Sequence, residues 1–241
     1  MSATSNRLRL TVAAVAAIAV LVGLGSWQLV RLGWKTDLIQ RAEARLGAPA
    51  AALPGDLADP EVDFLRVTVD GTVAAPGVLF RPGGSASGRA GLRAMAAFDV
   101  GRSDGAVLVD LGWLPIDARG AAIPLPDGPV RIVGALRLPE PPGWLTGAND
   151  PNGNLWQSFD WPAMAAALGV PALVPALLRA ETVSTPDGAP WVADGLERGP
   201  VAIDLRNDHL QYALTWFALA VALAVIYLLL MRRSRKGPMH R

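Results

Sequence analysis

The stretch LTVAAVAAIAVLVGLGSWQLV, residues 10–30, decides the architecture of this chain because it contains no Asp, Glu, Lys or Arg. A second uncharged stretch, LQYALTWFALAVALAVIYLLLM, covers residues 210–231. Each stretch is long enough to cross a bilayer, since roughly 20 apolar residues in a helix span ~30 Å of hydrocarbon. The sequence therefore predicts two transmembrane helices, one near each end of the chain.

The first apolar stretch has one alternative reading, a cleaved signal peptide. Arg7 and Arg9 precede the apolar run, as basic residues do in such a peptide. However, the run is longer than a typical signal core, and the small residues that resemble a cleavage site lie inside it: Ala14, Ala16, Ala17 and Ala19. We therefore favour a retained helix.

The basic residues near the spans predict the orientation. A basic cluster follows the second span and marks that end as cytoplasmic: Arg232, Arg233, Arg235, Lys236 and Arg241. The first span is flanked by basic residues on both sides, so its own signal is weaker. Because two spans return the chain to its starting side, both termini are expected in the cytoplasm.

Composition agrees with a membrane protein that carries one exported domain. The chain is 51% hydrophobic and 18% charged, with a mean hydropathy of +0.31. All 21 acidic residues lie between the spans, so the intervening domain lacks the basic footprint of a nucleic-acid-binding protein. The predicted layout is a cytoplasmic N-terminus, a first helix, a β-rich domain outside the cytoplasm, a second helix and a cytoplasmic basic tail, at residues 1–9, 10–30, 31–208, 209–231 and 232–241.

Alternating apolar residues predict strands in the intervening domain. Residues 64–73 and 130–138 alternate with period two, and residues 106–111 form an apolar run after the turn dipeptide Asp104-Gly105. Further strands are expected at 173–183 and 191–196, the first at a sheet edge because Pro175 interrupts it. The glycine-rich residues 81–88 are expected to form a flexible loop.

One short helix is predicted in the same domain. Asp160 suits the N-cap, Pro162 the first turn, and Gly169 the position just past the C-terminus. The fold class is therefore α+β: two transmembrane helices flank a mainly antiparallel sheet or partly open barrel with one short helix.

The residues that most enzyme sites need are scarce. The chain has two histidines and no cysteine, and neither histidine lies within the intervening domain. A hydrolytic triad and a zinc site are therefore disfavoured, and we predict that the chain is not an enzyme. Asp59, Glu61 and Asp63 alternate in a way that suits either a calcium ion or, more commonly, a solvated loop.

His209 is the residue with the most suggestive position, where the chain enters the second span. On a helix, His209 shares one face with Tyr212, Ala213 and Trp216. A neutral imidazole is a good axial ligand for haem iron, and the small Ala213 would admit a flat macrocycle. Basic residues suited to pairing with propionates lie nearby in sequence: Arg31, Lys35 and Arg206. The alternative is an interfacial histidine bonded to lipid headgroups or to the first helix.

Two tryptophans near the end of the first span, Trp27 and Trp34, fall at helical spacing with Val30 and Leu38. This spacing predicts that the helix continues past the membrane. Tryptophan is enriched at the level of the headgroups, so interfacial anchoring explains these side chains without any ligand.

Four blocks of this sequence resemble the Surfeit-locus (Surf/Shy) family of cytochrome c oxidase assembly factors. They are GSWQLVRLGWK at residues 25–35, Arg66-Val67 leading to Gly71, VDLGWLP at residues 109–115, and NDHLQYALTWF at residues 207–217. The blocks follow the order of the family and reach from the first span to the last. One departure is Leu111, where the family often has arginine.

The resemblance implies an assembly factor that binds haem a and assists its insertion into subunit I of a haem–copper oxidase. It implies His209 as the ligand to the iron, and we expect Trp27 and the other site residues named above to lie around the haem. Subunit I and the lipid membrane are the expected partners, with haem a synthase as a further one. The bacterial inner membrane is the expected location. A scaffold that stabilises an oxidase assembly intermediate without touching haem remains the alternative.

Overall fold

The computed structural model describes residues 3–235 except residues 86, 121, 140 and 202–206. The chain divides into two compact units. The helical unit comprises Met1–Arg41 and Asp204–Arg241, and the sheet unit comprises Ala42–Ile203.

Two long apolar helices form the helical unit. Helix α1 covers Ala3–Gly47, with its last residues in the sheet unit, and helix α3 covers His209–Arg235. The segments Asn6–Gly47 and His209–Arg233 are long and apolar enough to cross a membrane, with mean hydropathies of 2.2 and 2.5. The two predicted apolar helices are thus confirmed, and so is the continuation of the first helix beyond residue 30.

The two helices of this unit run antiparallel and share a narrow seam. Seam positions of α1 recur three and four residues apart and are less exposed than their neighbours: Thr11, Ala14, Ile18, Leu21, Gly25, Gln28 and Leu32. This spacing is that of helices packed side by side at a shallow crossing angle. The Thr11 hydroxyl lies 2.9 Å from the Tyr227 hydroxyl near one end of the seam, and Gln28 meets His209 near the other.

In the described part of the sheet unit, seven strands form one mixed, mainly antiparallel sheet. They are β1 (Ala51–Ala52), β2 (Arg66–Val73), β3 (Leu79–Gly84), β4 (Ala90–Asp99), β5 (Ala106–Leu114), β6 (Val130–Arg137) and β7 (Leu173–Ser184). Their order is β1-β2-β6-β7-β5-β4-β3, with an additional β2–β4 pairing. That pairing closes a ring of five strands, β2-β6-β7-β5-β4, which confirms the barrel-like expectation.

The main hydrophobic core fills this ring. Successive side chains of a strand point to opposite faces, so alternate residues enter the core. Val109, Leu111 and Leu178 are fully buried there, while Asp110 and Arg179 lie on the opposite face of the same strands. The family's arginine position is therefore a core position in this chain, and Leu111 satisfies it with an apolar side chain.

Helix α2 (Trp161–Leu168) covers part of the outer face of the sheet. Its boundaries match the prediction: the Asp160 carboxylate accepts a hydrogen bond from the N–H of Ala163, and Gly169 ends the helix with φ 74°. Met164 of this helix and the nearby Trp156 are fully buried in the cluster that the helix forms with the sheet. The predicted strands around residues 64–73, 106–111 and 130–138 are likewise confirmed as β2, β5 and β6.

Three expectations about the sheet were wrong. Residues 81–84 belong to β3 and are not a loop; the connection to β4 is a tight turn in which the Gly88 N–H donates to the carbonyl of Ser85. Residues 191–196 form no strand, and only isolated bridges flank them. Strand β7 is central and not at an edge, since it pairs with both β6 and β5. Pro175 is tolerated there because a register shift in the pairing with β5 leaves it outside the ladder.

Candidate functional site

His209 begins helix α3 and turns its imidazole toward α1. Its Nδ1 lies 2.7 Å from Oε1 of Gln28. Because a carboxamide oxygen can only accept, Nδ1 carries the proton and donates it. In the neutral imidazole the other nitrogen, Nε2, then bears a free lone pair. Nε2 hydrogen-bonds to none of the described residues.

A second polar contact between the two segments lies beside the first. The Asn207 side-chain amide donates to the Thr36 hydroxyl at 3.3 Å, and that hydroxyl donates to the carbonyl of Leu32 at 2.8 Å. The Asn207 carboxamide oxygen is buried and accepts no hydrogen bond from a described residue. Two adjacent side-chain contacts therefore fix the start of α3 on α1.

Small residues bring the helices close together below His209. Ala213 is 1% exposed and Ala220 is 5% exposed, both in the seam. A Cβ added to Gly25 would lie 2.7 Å from the ring of Phe217. Close approach through Gly and Ala is typical of helices packed in membranes. Ala213 is therefore covered by protein in this structure, and its expected place beside a macrocycle stays a prediction.

The other aromatic candidates differ in their exposure. Tyr212 is 55% exposed, Trp27 54% and Trp34 51%, while Trp216 is half-buried. The Arg31 guanidinium stacks on the Trp34 ring at 4.8 Å. The four residues predicted to share one face of α3 therefore differ. His209 and Ala213 face α1, Trp216 is half-buried, and Tyr212 is exposed.

The predicted cations are only partly described. Arg31 is exposed and Lys35 is half-buried on α1. Arg206, together with Lys236, His240 and Arg241 of the basic tail, lies outside the described residues.

Gln28 is the site residue that sequence reasoning missed. It stands in the uncharged span and within the block GSWQLVRLGWK, so its one available signal was an isolated polar side chain at a seam position. A histidine that ligates a metal usually donates its other ring N–H to an oxygen acceptor, which fixes the tautomer and the ring orientation. The Gln28 oxygen supplies such an acceptor for His209 Nδ1.

The acidic triplet considered as a calcium site is engaged otherwise. Asp59 accepts from the N–H of Glu61 and caps a short 3-10 helix, Glu61 pairs with Arg45, and Asp63 accepts from Arg137 and from the N–H of Leu138. In the described part of the chain, no three His, Asp or Glu side chains are grouped so that they would hold a metal ion.

The chain is similar to known proteins along most of its length. A sequence profile of the SURF1 family matches residues 15–221. A SURF1-like protein of Caenorhabditis elegans is 30% identical over 230 residues, covering 85% of this chain and 68% of that protein. Surfeit locus protein 1 of Homo sapiens is 29% identical over 234 residues, covering 89% and 75%. A SURF1-like protein of Monosiga brevicollis is 28% identical over 229 residues, covering 89% and 85%.

Proposed function

This chain belongs to the SURF1 family, and from that premise we propose that it binds haem a through His209 and assists its insertion into subunit I of the oxidase. Family membership itself carries a role in cytochrome c oxidase assembly. The proposal adds the cargo, the ligand and the recipient.

One observation carries the proposal: the hydrogen bond from His209 Nδ1 to Gln28. It holds the imidazole in the tautomer whose Nε2 lone pair can bind iron. The ring sits where α3 begins, at the margin of an apolar helix. An iron porphyrin bound there would keep its apolar body and long isoprenoid tail against lipid and helices. Its charged propionates would lie at the margin of the membrane, because hydrocarbon does not solvate them.

Cations near the same end of the helices suit the propionates. Arg31 and Lys35 are carried by α1 within two turns of Gln28, and Arg206 precedes α3 by sequence. A guanidinium forms strong paired hydrogen bonds with a carboxylate. In this arrangement the exposed Tyr212 and Trp27 rings contribute apolar and aromatic surface to the cargo.

A carrier must also release its cargo. In the described part of the chain His209 is the one histidine, and the chain has no cysteine. His209 would hold the haem as its one protein ligand, which would let a group of the recipient take the haem over. Two strong ligands would hold the haem too firmly for transfer.

The proposed location is the bacterial inner membrane, with both termini cytoplasmic and the sheet unit in the periplasm. The basic cluster after the second span supports this orientation. In this proposal haem a synthase donates the haem, because that enzyme makes it.

The alternative function, a scaffold that acts without haem, is favoured by a different aspect of the same contact. The His209–Gln28 bond joins α1 to α3, and Ala213 packs beneath it, so His209 also serves as a structural tie. A scaffold would need that tie and no free Nε2.

Haem retention separates the two functions. The full chain is purified from cells that make haem a, and the Soret absorbance per mole of protein is measured for the wild type, His209→Ala and His240→Ala. The carrier predicts a Soret band that is lost in His209→Ala and kept in His240→Ala, the matched control. A colourless wild type that still co-purifies subunit I would overturn the carrier and leave the scaffold.

A further inference from the structure

Four arginines on four strands converge on one cavity of the sheet unit. The cavity has a volume of about 500 Å³ and lies on the outer face of the sheet, opposite the ring core. The strand register brings them together: Arg81 of β3 is the direct partner of Arg93 of β4, and Arg179 of β7 is the partner of Asp110 of β5. Arg137 of β6 completes the group.

The charges in this cavity do not balance among the described residues. Both carboxylate oxygens of Asp110 accept from Arg93, at 2.8 and 3.0 Å, and Asp63 accepts from Arg137 at 3.1 Å. Arg81 and Arg179 form no ion pair with any carboxylate of the described chain. Asp110 is the one acidic side chain among the described residues that line the cavity, against four guanidinium groups.

The two unpaired guanidinium groups are also poorly solvated. Nε of Arg81 is buried and has no acceptor among the described residues, and its guanidinium lies 5.0 Å from the centre of the Phe159 ring. Burial lowers the pKa of Arg81, and burial together with the positive Arg93 and Arg137 lowers the pKa of Arg179. Arginine stays charged in proteins, so both shifts express the cost of burying a guanidinium, to which the neighbouring cations add at Arg179.

The rim of the cavity is held in place before any ligand arrives. The Asn149 side-chain oxygen accepts from the N–H groups of Gln157 and Ser158, at 2.8 and 3.0 Å. The preceding residue, Trp156, is fully buried. A fixed rim with polar side chains at its edge lowers the entropy lost when a small ligand is ordered.

We propose that this cavity binds a doubly charged oxyanion, either a phosphate group or a pair of carboxylates, through Arg81 and Arg179. A guanidinium presents a planar fork of donors that matches the oxygens of phosphate and carboxylate. Two negative charges would neutralise the two guanidinium groups that have no carboxylate partner among the described residues. The cavity is a half-open cleft of about 500 Å³ and not an extended basic stripe, which points to a small molecule or a single headgroup.

Binding is tested on the full chain in detergent, with inorganic phosphate and with succinate as probes. Sodium chloride at matched ionic strength corrects for screening, and the melting temperature is followed against probe concentration. A saturable rise with phosphate alone supports a phosphate-bearing ligand, and one with succinate alone supports a dicarboxylate. A rise with both supports a small dianion of either kind. No rise beyond that in sodium chloride overturns the proposal.

Charge-neutralising variants locate the site. Arg81→Gln and Arg179→Gln should each weaken binding of the effective probe roughly tenfold or more, as expected for a lost hydrogen bond to a charged group. Arg131→Gln, an exposed arginine already paired with Asp70, removes the same charge and should bind unchanged. Equal weakening in all three variants means that the effect is general charge, and overturns the site.

The melting temperature without probe gives an independent readout. Removing a buried charge that has no ion-pair partner among the described residues relieves the cost of burying it, so Arg81→Gln and Arg179→Gln should melt at or above the wild-type temperature when no anion is present. A guanidinium with a purely structural role would instead lower it, and that result also counts against the proposal.

Discussion

Gly25 lies so close to the ring of Phe217 that an added Cβ would come within 2.7 Å of Phe217 Cε1. In an open helix position, Gly→Ala is stabilising, by up to about 1 kcal/mol. At Gly25 the clash should reverse the sign, so Gly25→Ala is expected to destabilise the packing of α1 on α3.

Thermal unfolding of the full chain in detergent, followed by circular dichroism, measures this effect. Gly23→Ala is the matched control, because no atom lies within 4 Å of a Cβ at that position in the same helix. It should leave the melting temperature equal or higher. If both variants shift it alike, the close contact with Phe217 contributes nothing.

Gln28 is expected to control how firmly haem is held if the proposed function is right. Gln28→Leu removes the acceptor for His209 Nδ1 and should reduce haem retention roughly tenfold, in line with other partners of metal-ligating histidines. Gln28→Glu keeps an acceptor, adds a charge that makes the imidazole a stronger ligand, and should slow haem loss.

The measurement is the rate at which apomyoglobin withdraws haem from each purified variant. Gln40→Leu, an exposed glutamine further along α1, serves as the control. Haem loss at the wild-type rate from Gln28→Leu would contradict the positioning role of Gln28, whether or not His209 binds the haem.

Asp110 holds the buried charge of Arg93 on the outer face of the sheet. The exposed fractions of the two side chains are 5% and 10%, and Asp110 also accepts from the N–H of Gly112. Asp110→Asn should lower the free energy of unfolding by about 3–5 kcal/mol, because it leaves a buried guanidinium without a counter-charge. Denaturant unfolding of the full chain in detergent measures the loss. The exposed pair of Asp70 with Arg131 is the control: Asp70→Asn should have little effect, since solvent screens that pair.

Gly112 explains why the block VDLGWLP needs a glycine. Its φ is +148°, and an added Cβ would lie 2.9 Å from the carbonyl oxygen of Glu197, which accepts from the Trp113 N–H. Gly112→Ala should therefore destabilise the sheet unit by about 1–3 kcal/mol through backbone strain and overpacking. Gly55→Ala, at an open position in the same unit, should be neutral. Equal unfolding midpoints for the two variants would refute this reading.

The exposed ion pair between Asp70 and Arg131 gives a small pH dependence. The hydrogen bond from Arg131 lowers the pKa of Asp70 below its usual 3.8. A lowered folded-state pKa means that the stabilisation is present above the unfolded value and is lost as pH falls through the folded value. The stability difference between wild type and Asp70→Asn should therefore vanish in acid below pH 3.8, as measured by unfolding at a series of pH values. A difference that grows in acid would show the opposite linkage.

Local patterns carried the sequence predictions that succeeded. The uncharged residues 10–30 and 210–231 form helices whatever they pack against, because a backbone N–H or C=O group without a hydrogen bond is very costly in hydrocarbon. Period-two alternation marked β2 and β6, and Asp160, Pro162 and Gly169 marked the ends of α2. Strand β4 was missed because both of its faces are buried, so its alanine-rich sequence shows no alternation.

Relationships between distant residues were decided by the tertiary structure alone. Pro175 predicted an edge strand, yet a register shift accommodates it in the centre of the sheet. Gln28 and His209 are 181 residues apart, and the arginines of the cavity come from four strands. The sequence by itself determined which segments are helix or strand and which of their faces are apolar, because those follow from the period of neighbouring side chains. Helix seams and strand registers decided which polar groups meet, because a shift of one residue turns a strand side chain to the other face and rotates a helix side chain by about 100° away from the seam.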